Sequence, residues 1–352
     1  MKFANGKVTV AGDTAVAAPT ERATSSYTVD RSMGPVLSFN TYNDIFHFLG
    51  EPTYGNIEGE QGDWEFVITK LTEDSIFVKG KKWENEMVFT RMADGVDWTS
   101  YLDSIADVQK RLGVNYSVGN SSDASKMVEI NSATRRILSR TADGQVVEQP
   151  FYVTPTGIHA VNEPVALGED KAQDFLVSKA GVLTAKDNEN LTLNSYAPGI
   201  DTWVGNWTLS AMQGSCDMTI SKVEDQENML KGTFTTGGYT YNIGLSFNPE
   251  TGALNLPSQL IDDPSGRYPA LWLMNADLNK GMLLGQGGMN VVWHGVSQEG
   301  DFEDDGTLAS EGYASDTFVA LACTAKGEPI KENNQYVFVI EWYYLSNLTP
   351  NK

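Results

Sequence analysis

Apolar and polar positions alternate with a period of two from Ser25 to Met92, the pattern of antiparallel strands that bury one face. The runs Ser26-Tyr27-Thr28-Val29, Val36-Leu37-Ser38-Phe39, Trp64 to Ile68, Ser75 to Val78 and Glu86 to Thr90 predict a β-meander. Ahead of them, Met1 to Val10 reads as a hairpin, with Asn5-Gly6 as its two-residue turn. A chain that opens inside a hairpin is expected to have lost upstream residues. This opening segment has neither the apolar core nor the cleavage site of a signal peptide, so any signal or lipid-anchor segment would have gone with them.

The period then changes. Trp98, Leu102, Ile105, Val108 and Leu112 fall on one helical face, with Asp97 as N-cap and Gly113 past the end, predicting a helix over 97–112 that packs on the sheet or plugs a barrel. Residues 113–150 are polar, with short strands at Lys126 to Ile130 and Arg136 to Leu138; Phe151 to Ile158 returns to strand chemistry. A loop around Ala197-Pro198-Gly199 closes a first module, 1–197. In the second module, 198–352, Trp207 to Leu209, Met218 to Ile220, Thr233 to Thr235, Tyr239 to Phe247, Leu271 to Leu273, Met289 to His294, Phe318 to Ala322 and Tyr336 to Leu345 predict about eight strands at hairpin spacing. The fold class is therefore mainly β: two antiparallel modules, each an up-and-down barrel or sandwich of calycin-like type, with one helix in the first. The repeat of Leu37-Ser38-Phe39-Asn40 as Leu245-Ser246-Phe247-Asn248 leaves duplication and convergent strand chemistry both open.

Composition agrees with this reading. At 352 residues, 41% apolar and 20% charged, the chain can build two cores without disulfide staples. Lys plus Arg number 25 against 46 for Asp plus Glu, and a net charge of −21 repels nucleic acids and anionic membrane surfaces. No apolar run approaches the roughly 20 residues of a membrane helix. The two cysteines, Cys216 and Cys323, sit in apolar strand-like segments and read as free thiols packing as small hydrophobes, ahead of a single disulfide.

No catalytic signature is legible: there is no nucleophile elbow, zinc-protease helix, phosphate loop or paired-cysteine motif, and no cofactor is expected. Gly285-Gln286-Gly287-Gly288 reads as a hairpin turn, and His47, His159 and His294 as structural histidines. The run Asp301-Phe302-Glu303-Asp304-Asp305-Gly306 imitates the opening of a calcium loop through Asp301, Glu303 and Asp305, but its twelfth position is Gly312, so a solvated loop is the preferred reading. Aromatics offer another chemistry. Trp272, Trp293 and Trp342 with Tyr343 and Tyr344 are the candidate ligand-binding residues. In Glu341-Trp342-Tyr343-Tyr344-Leu345 three aromatics in succession break the alternation, so one must face away from the core, where it could stack on a sugar, anchor a partner or cover a neighbouring domain.

Ser26-Tyr27, Gly34 to Asn43, His47, Gly62 to Ile68, Asp74-Ser75-Ile76, Lys79 to Lys82 and Met87 to Arg91, continuing through Pro150-Phe151-Tyr152 and Gly157-Ile158, resemble the Bacteroidetes envelope lipoproteins grouped as domain of unknown function 4302. The resemblance covers at least the first half. It places the Phe3 to Val8 segment inside the domain and implies an outer-membrane or cell-surface location through a lipid anchor missing from this chain. It implies no catalytic residues. The expectation is a non-enzymatic accessory protein that captures a glycan, a peptide or an envelope partner through surface aromatics. The alternatives are a glycan hydrolase whose carboxylates meet only on folding, or a purely structural envelope protein.

Overall fold

The computed structural model describes residues 1–14, 17–31, 34–52 and 57–351. Two compact units emerge, Met1–Arg111 with Val153–Ile158, and Leu112–Tyr152 with His159–Lys352. The chain is mainly β, its sheets antiparallel.

The first unit carries a seven-stranded meander in which each strand pairs with its sequence neighbour: Lys2–Ala4, Lys7–Val10, Ala23–Asp30, Val36–Phe39, Glu65–Leu71, Ser75–Gly80 and Glu86–Thr90. The opening hairpin turns where expected, because Asn5 (φ 50°) and Gly6 (φ 71°) both take the left-handed conformation that a two-residue type I′ turn requires. Val8, Val10, Leu37, Phe39, Phe66 and Val78 form the buried face, sealed by Ile45 and Phe46 of the short helix Asp44–His47. The expected longer helix spans Trp98–Gln109, and Asp97 caps it by accepting from the Ser100 N–H at 2.7 Å.

Two closed eight-stranded barrels follow. The first is a meander of Asn115–Val118, Met127–Asn131, Arg136–Arg140, Val146–Thr154, Gly157–Ala160, Asp174–Val177, Leu183–Ala185 and Asn188–Ser195, with a separate hairpin of Val165–Leu167 and Asp170–Ala172 inserted before the sixth strand, and it is closed by pairing of the last with the first. Thus 113–150, polar in sequence, supplies four barrel strands. The second barrel comprises Gly205–Ala211, Gly214–Lys222, Met229–Thr236, Tyr239–Phe247, Leu254–Pro257, Gly288–His294, Glu299–Asp304 and Asn347–Pro350. The segments around Leu271, Phe318 and Phe338 are strands, as expected, but belong elsewhere. Two insertions in the barrel meander pair with each other as a five-stranded sheet of Gln259–Ile261, Ala270–Asp277, Met282–Leu283, Thr317–Cys323 and Phe338–Trp342. One face of this sheet packs into the barrel core through Leu271, Leu273, Phe318, Ala320, Ile340 and Trp342. Cys216 and Cys323 are free thiols, the second fully buried.

Trp203 centres that core. It is fully buried on the turn Ile200–Trp203, and its indole N–H donates to the Gly252 carbonyl at 2.9 Å. Its ring lies so close to the strand Glu299–Asp304 that a Cβ on Gly300 would sit 2.7 Å from both Trp203 Cη2 and Val291 Cγ1. Gly300→Ala is accordingly expected to destabilise the protein by about 1–3 kcal/mol through overpacking, read as a lower urea midpoint. An unchanged midpoint would show that the ring yields freely.

Candidate functional site

The five candidate aromatics separate into two groups. Trp293 and Trp342, 6% and 7% exposed, correct the expectation of surface platforms. Trp293 meets Trp203 and Trp207 edge to face, at 5.5 and 6.2 Å between centroids, and Trp342 lies 4.6 Å from Phe234. Strand alternation accounts for both, since each occupies an inward position of its strand. Trp272 and Tyr343 come together on the outer face of the five-stranded sheet, against Met274, Val319, Leu321 and Cys323. Across that face, Leu260, Trp272, Leu321 and Phe338 are successive cross-strand partners, with Leu260 and Phe338 exposed at the two edges. The Tyr343 hydroxyl donates to Glu341, which holds its pKa up at about 12. Tyr344 lies beyond the strand end with φ 48° and donates to Asn279 Oδ1 at 3.3 Å. The broken alternation is thus the strand stopping at Trp342.

The acidic run is a strand up to Asp304, and only Asp305 and Gly306 lie in the loop beyond it. Glu299–Asp304 is a barrel strand, so Asp301 and Glu303 point the same way about 7 Å apart rather than converging on an ion. Asp301 faces His294 at 3.4 Å, and Asp305 accepts from Asn255 at 3.4 Å. Among the described residues no three His, Cys, Asp or Glu side chains form a metal-holding group. The histidines also stay apart: His47 accepts from the Asn43 N–H at 3.1 Å and stacks on Trp64, His159 pairs with Asp174 at 2.9 Å, and His294 pairs with Glu129 at 3.3 Å.

What folding does bring together is a polar row on the outer wall of the second barrel. Ser246, Asn255, Asn290 and Glu303 are successive cross-strand partners on four adjacent strands, so their side chains share one face. Inward neighbours Leu254, Leu256, Met289 and Val291 are buried and fix that orientation. The row floors a cleft of about 560 Å³, whose other wall is Val114, Asn115, Ser195, Tyr196 and Ala197 from the end of the first barrel, with Glu250 on a rim loop. Asn255 donates to Asn290 Oδ1 at 3.1 Å and to Asp305 Oδ2 at 3.4 Å, which leaves the Asn255 Oδ1 and the Asn290 N–H₂ without a protein partner among the described residues. Tyr196 is half-buried there, its phenol pKa raised by burial, and its hydroxyl has no protein partner among the described residues.

The cleft walls are held in register by the hairpin that joins Gly288–His294 to Glu299–Asp304. At its tip the Val296 and Ser297 N–H groups donate to one Glu129 oxygen, the latter at 3.0 Å, while His294 pairs with the other. Beside it Asn115 accepts from the Gly295 N–H at 2.9 Å and donates to the Trp293 carbonyl at 2.6 Å; Arg140 donates to the Val296 carbonyl. Glu129 and Asn115 are both buried. Of the polar row only Glu303 carries a signal in the sequence, as one of the acidic residues of the run 301–306; Asn115, Asn255 and Asn290 carry none. For the buried pair the local signal is Glu129 itself, a carboxylate inside the apolar run Met127-Val128-Glu129-Ile130.

A family model described as Domain of unknown function (DUF4302) matches residues 1–179, half of the chain. The chain belongs to this family. No curated protein and no solved structure matches it. The DUF4302 match covers the seven-stranded meander and most of the first barrel, and ends before Ser195 and Tyr196; among the described residues that line the cleft, Val114 and Asn115 alone fall inside it.

Proposed function

We propose that this DUF4302 protein is a non-catalytic binding protein of the cell envelope, and that its ligand occupies the cleft between the polar row and Tyr196. The observation that carries this is the row itself: four aligned polar side chains on a rigid barrel wall, with hydrogen-bonding capacity left over, in a cleft whose volume lies within the ~300–1,000 Å³ of small-ligand sites. The envelope placement rests on the family resemblance alone. The outer sheet face with Trp272 and Tyr343 is the surface offered to a partner protein.

A hydrolase is the second reading, because Glu250 and Glu303 line the same cleft. One set of measurements separates the two. Glycan and peptide panels are screened by thermal shift with wild type, Glu303→Gln and Trp272→Ala, and bound ligands are recovered and analysed for cleavage. Capture predicts an intact ligand whose effect on Tm is reduced in Glu303→Gln and kept in Trp272→Ala. Cleavage by wild type alone would establish the hydrolase. A Tm response that disappears only in Trp272→Ala would move the site to the outer sheet face.

A further inference from the structure

Resting on the reading that the cleft binds a ligand, we infer that its ligand is a neutral oligosaccharide, held by its hydroxyl groups along Ser246, Asn255, Asn290 and Glu303 and stacked by one ring against Tyr196. The row alternates in hydrogen-bonding sense: the Ser246 hydroxyl can do both, the Asn255 carbonyl accepts, the Asn290 N–H₂ donates and the Glu303 carboxylate accepts. A ligand presenting donors and acceptors at each step matches such a line, and the hydroxyl is the common group that is both in a single atom, where a peptide backbone offers the two on separate atoms. Phosphate, sulfate and carboxylate groups offer acceptors alone. They would meet Glu303 and Glu250 with no Lys or Arg in the lining, in a chain of net charge −21. A purely apolar ligand would leave the amides and the carboxylate desolvated and unpaired.

Geometry agrees with the chemistry. Adjacent strands lie about 4.8 Å apart, so four side chains in a cross-strand row span about 14 Å, enough for a few linked sugar rings lying across the strands rather than along them. The opposite wall presents the Tyr196 phenol, an aromatic ring with an unpaired hydroxyl, which suits the apolar face and the rim hydroxyls of one sugar. Because the row is built on a closed barrel, little ordering is left to occur on binding.

The test is calorimetric titration of the full chain with neutral hexose and pentose oligosaccharides, an oligogalacturonate as acidic counterpart, and a lysine-rich peptide. A neutral oligosaccharide is expected to bind, with Asn290→Ala weakening it about tenfold and Glu303→Gln about fivefold, the effect of losing one or two hydrogen bonds. Tyr196→Ala is expected to weaken it more than Tyr196→Phe, which keeps the ring. Glu303 is exposed, so Glu303→Gln can be made without disturbing a core, and unchanged urea midpoints certify each fold. Binding of the acidic sugar or the basic peptide in preference, still dependent on Asn290, would overturn the saccharide assignment and leave the cleft as a binding site. Absence of any binding that depends on Asn290 or Glu303 would overturn both.

Discussion

Glu129→Ala is expected to lower the free energy of unfolding by about 3–5 kcal/mol, as removal of one partner from a buried charged network does. Glu129 is 4% exposed and receives two backbone N–H groups and His294 from the tip of a single hairpin. Alanine would leave all three donors without this acceptor, the Val296 N–H in a fully buried position. A pH dependence accompanies the loss. Three carboxylates, Glu129, Asp301 and Glu299, face His294; the hydrogen bond to Glu129 and their combined charge raise its pKa against the opposing effect of burial. A raised folded-state pKa means that the folded protein binds the proton more tightly, so this stabilisation is complete below the unfolded value of about 6.5 and is lost as pH rises through the folded value. Asp301, raised by burial, has the same sign but acts in the acid range, above its ordinary 3.8. Unfolding midpoints should therefore fall as pH rises above about 6.5 in wild type. Glu129→Gln, which can still accept from the two N–H groups, should retain more stability than Glu129→Ala yet lose most of that slope. A wild-type slope surviving in Glu129→Gln would assign the pH dependence to another group.

The contrast between what the sequence carried and what it hid has a physical basis in the range of each interaction. The Asn5-Gly6 turn, the Asp97 cap and the period-two strands are settled within a few residues, and each is where its local chemistry places it. Sheet membership is not local. Gly205–Ala211 pairs with Asn347–Pro350 across most of the second half, and the insertions carrying Trp272 and Trp342 form a sheet with each other rather than joining the barrel. The candidate site is the extreme case: Ser246, Asn255, Asn290 and Glu303 become neighbours only through three separate registers, so no spacing along the chain announces them. Glu303 draws notice in the sequence for its charge, within an acidic run that imitates a calcium loop but reads as a solvated one, yet its strand puts it in a row with Ser246, Asn255 and Asn290. The outward aromatics followed the same logic. Alternation showed that the Trp342-Tyr343-Tyr344 run must split, and the end of the strand at Trp342 decides which ring goes inside.

The remaining large effect lies in the tryptophan cluster. Trp203→Ala is expected to destabilise the protein by about 3–5 kcal/mol, since it removes a fully buried indole and leaves a cavity among Trp207, Trp293 and Gly300. It also strands the Gly252 carbonyl that the indole N–H satisfies. Trp203→Phe should fall between wild type and Trp203→Ala, because it keeps an aromatic ring but neither the hydrogen bond nor the six-membered edge that reaches Gly300. That geometry makes a double-mutant cycle decisive. If Gly300 is glycine because the Trp203 ring fills the space of its Cβ, then Gly300→Ala should cost clearly less in the Trp203→Phe background than in wild type, with a coupling of about 1 kcal/mol or more. Additive losses in urea unfolding would mean that the backbone, and not the ring, sets the demand for glycine in this strand, and the same strand carries Glu303 on its outer side.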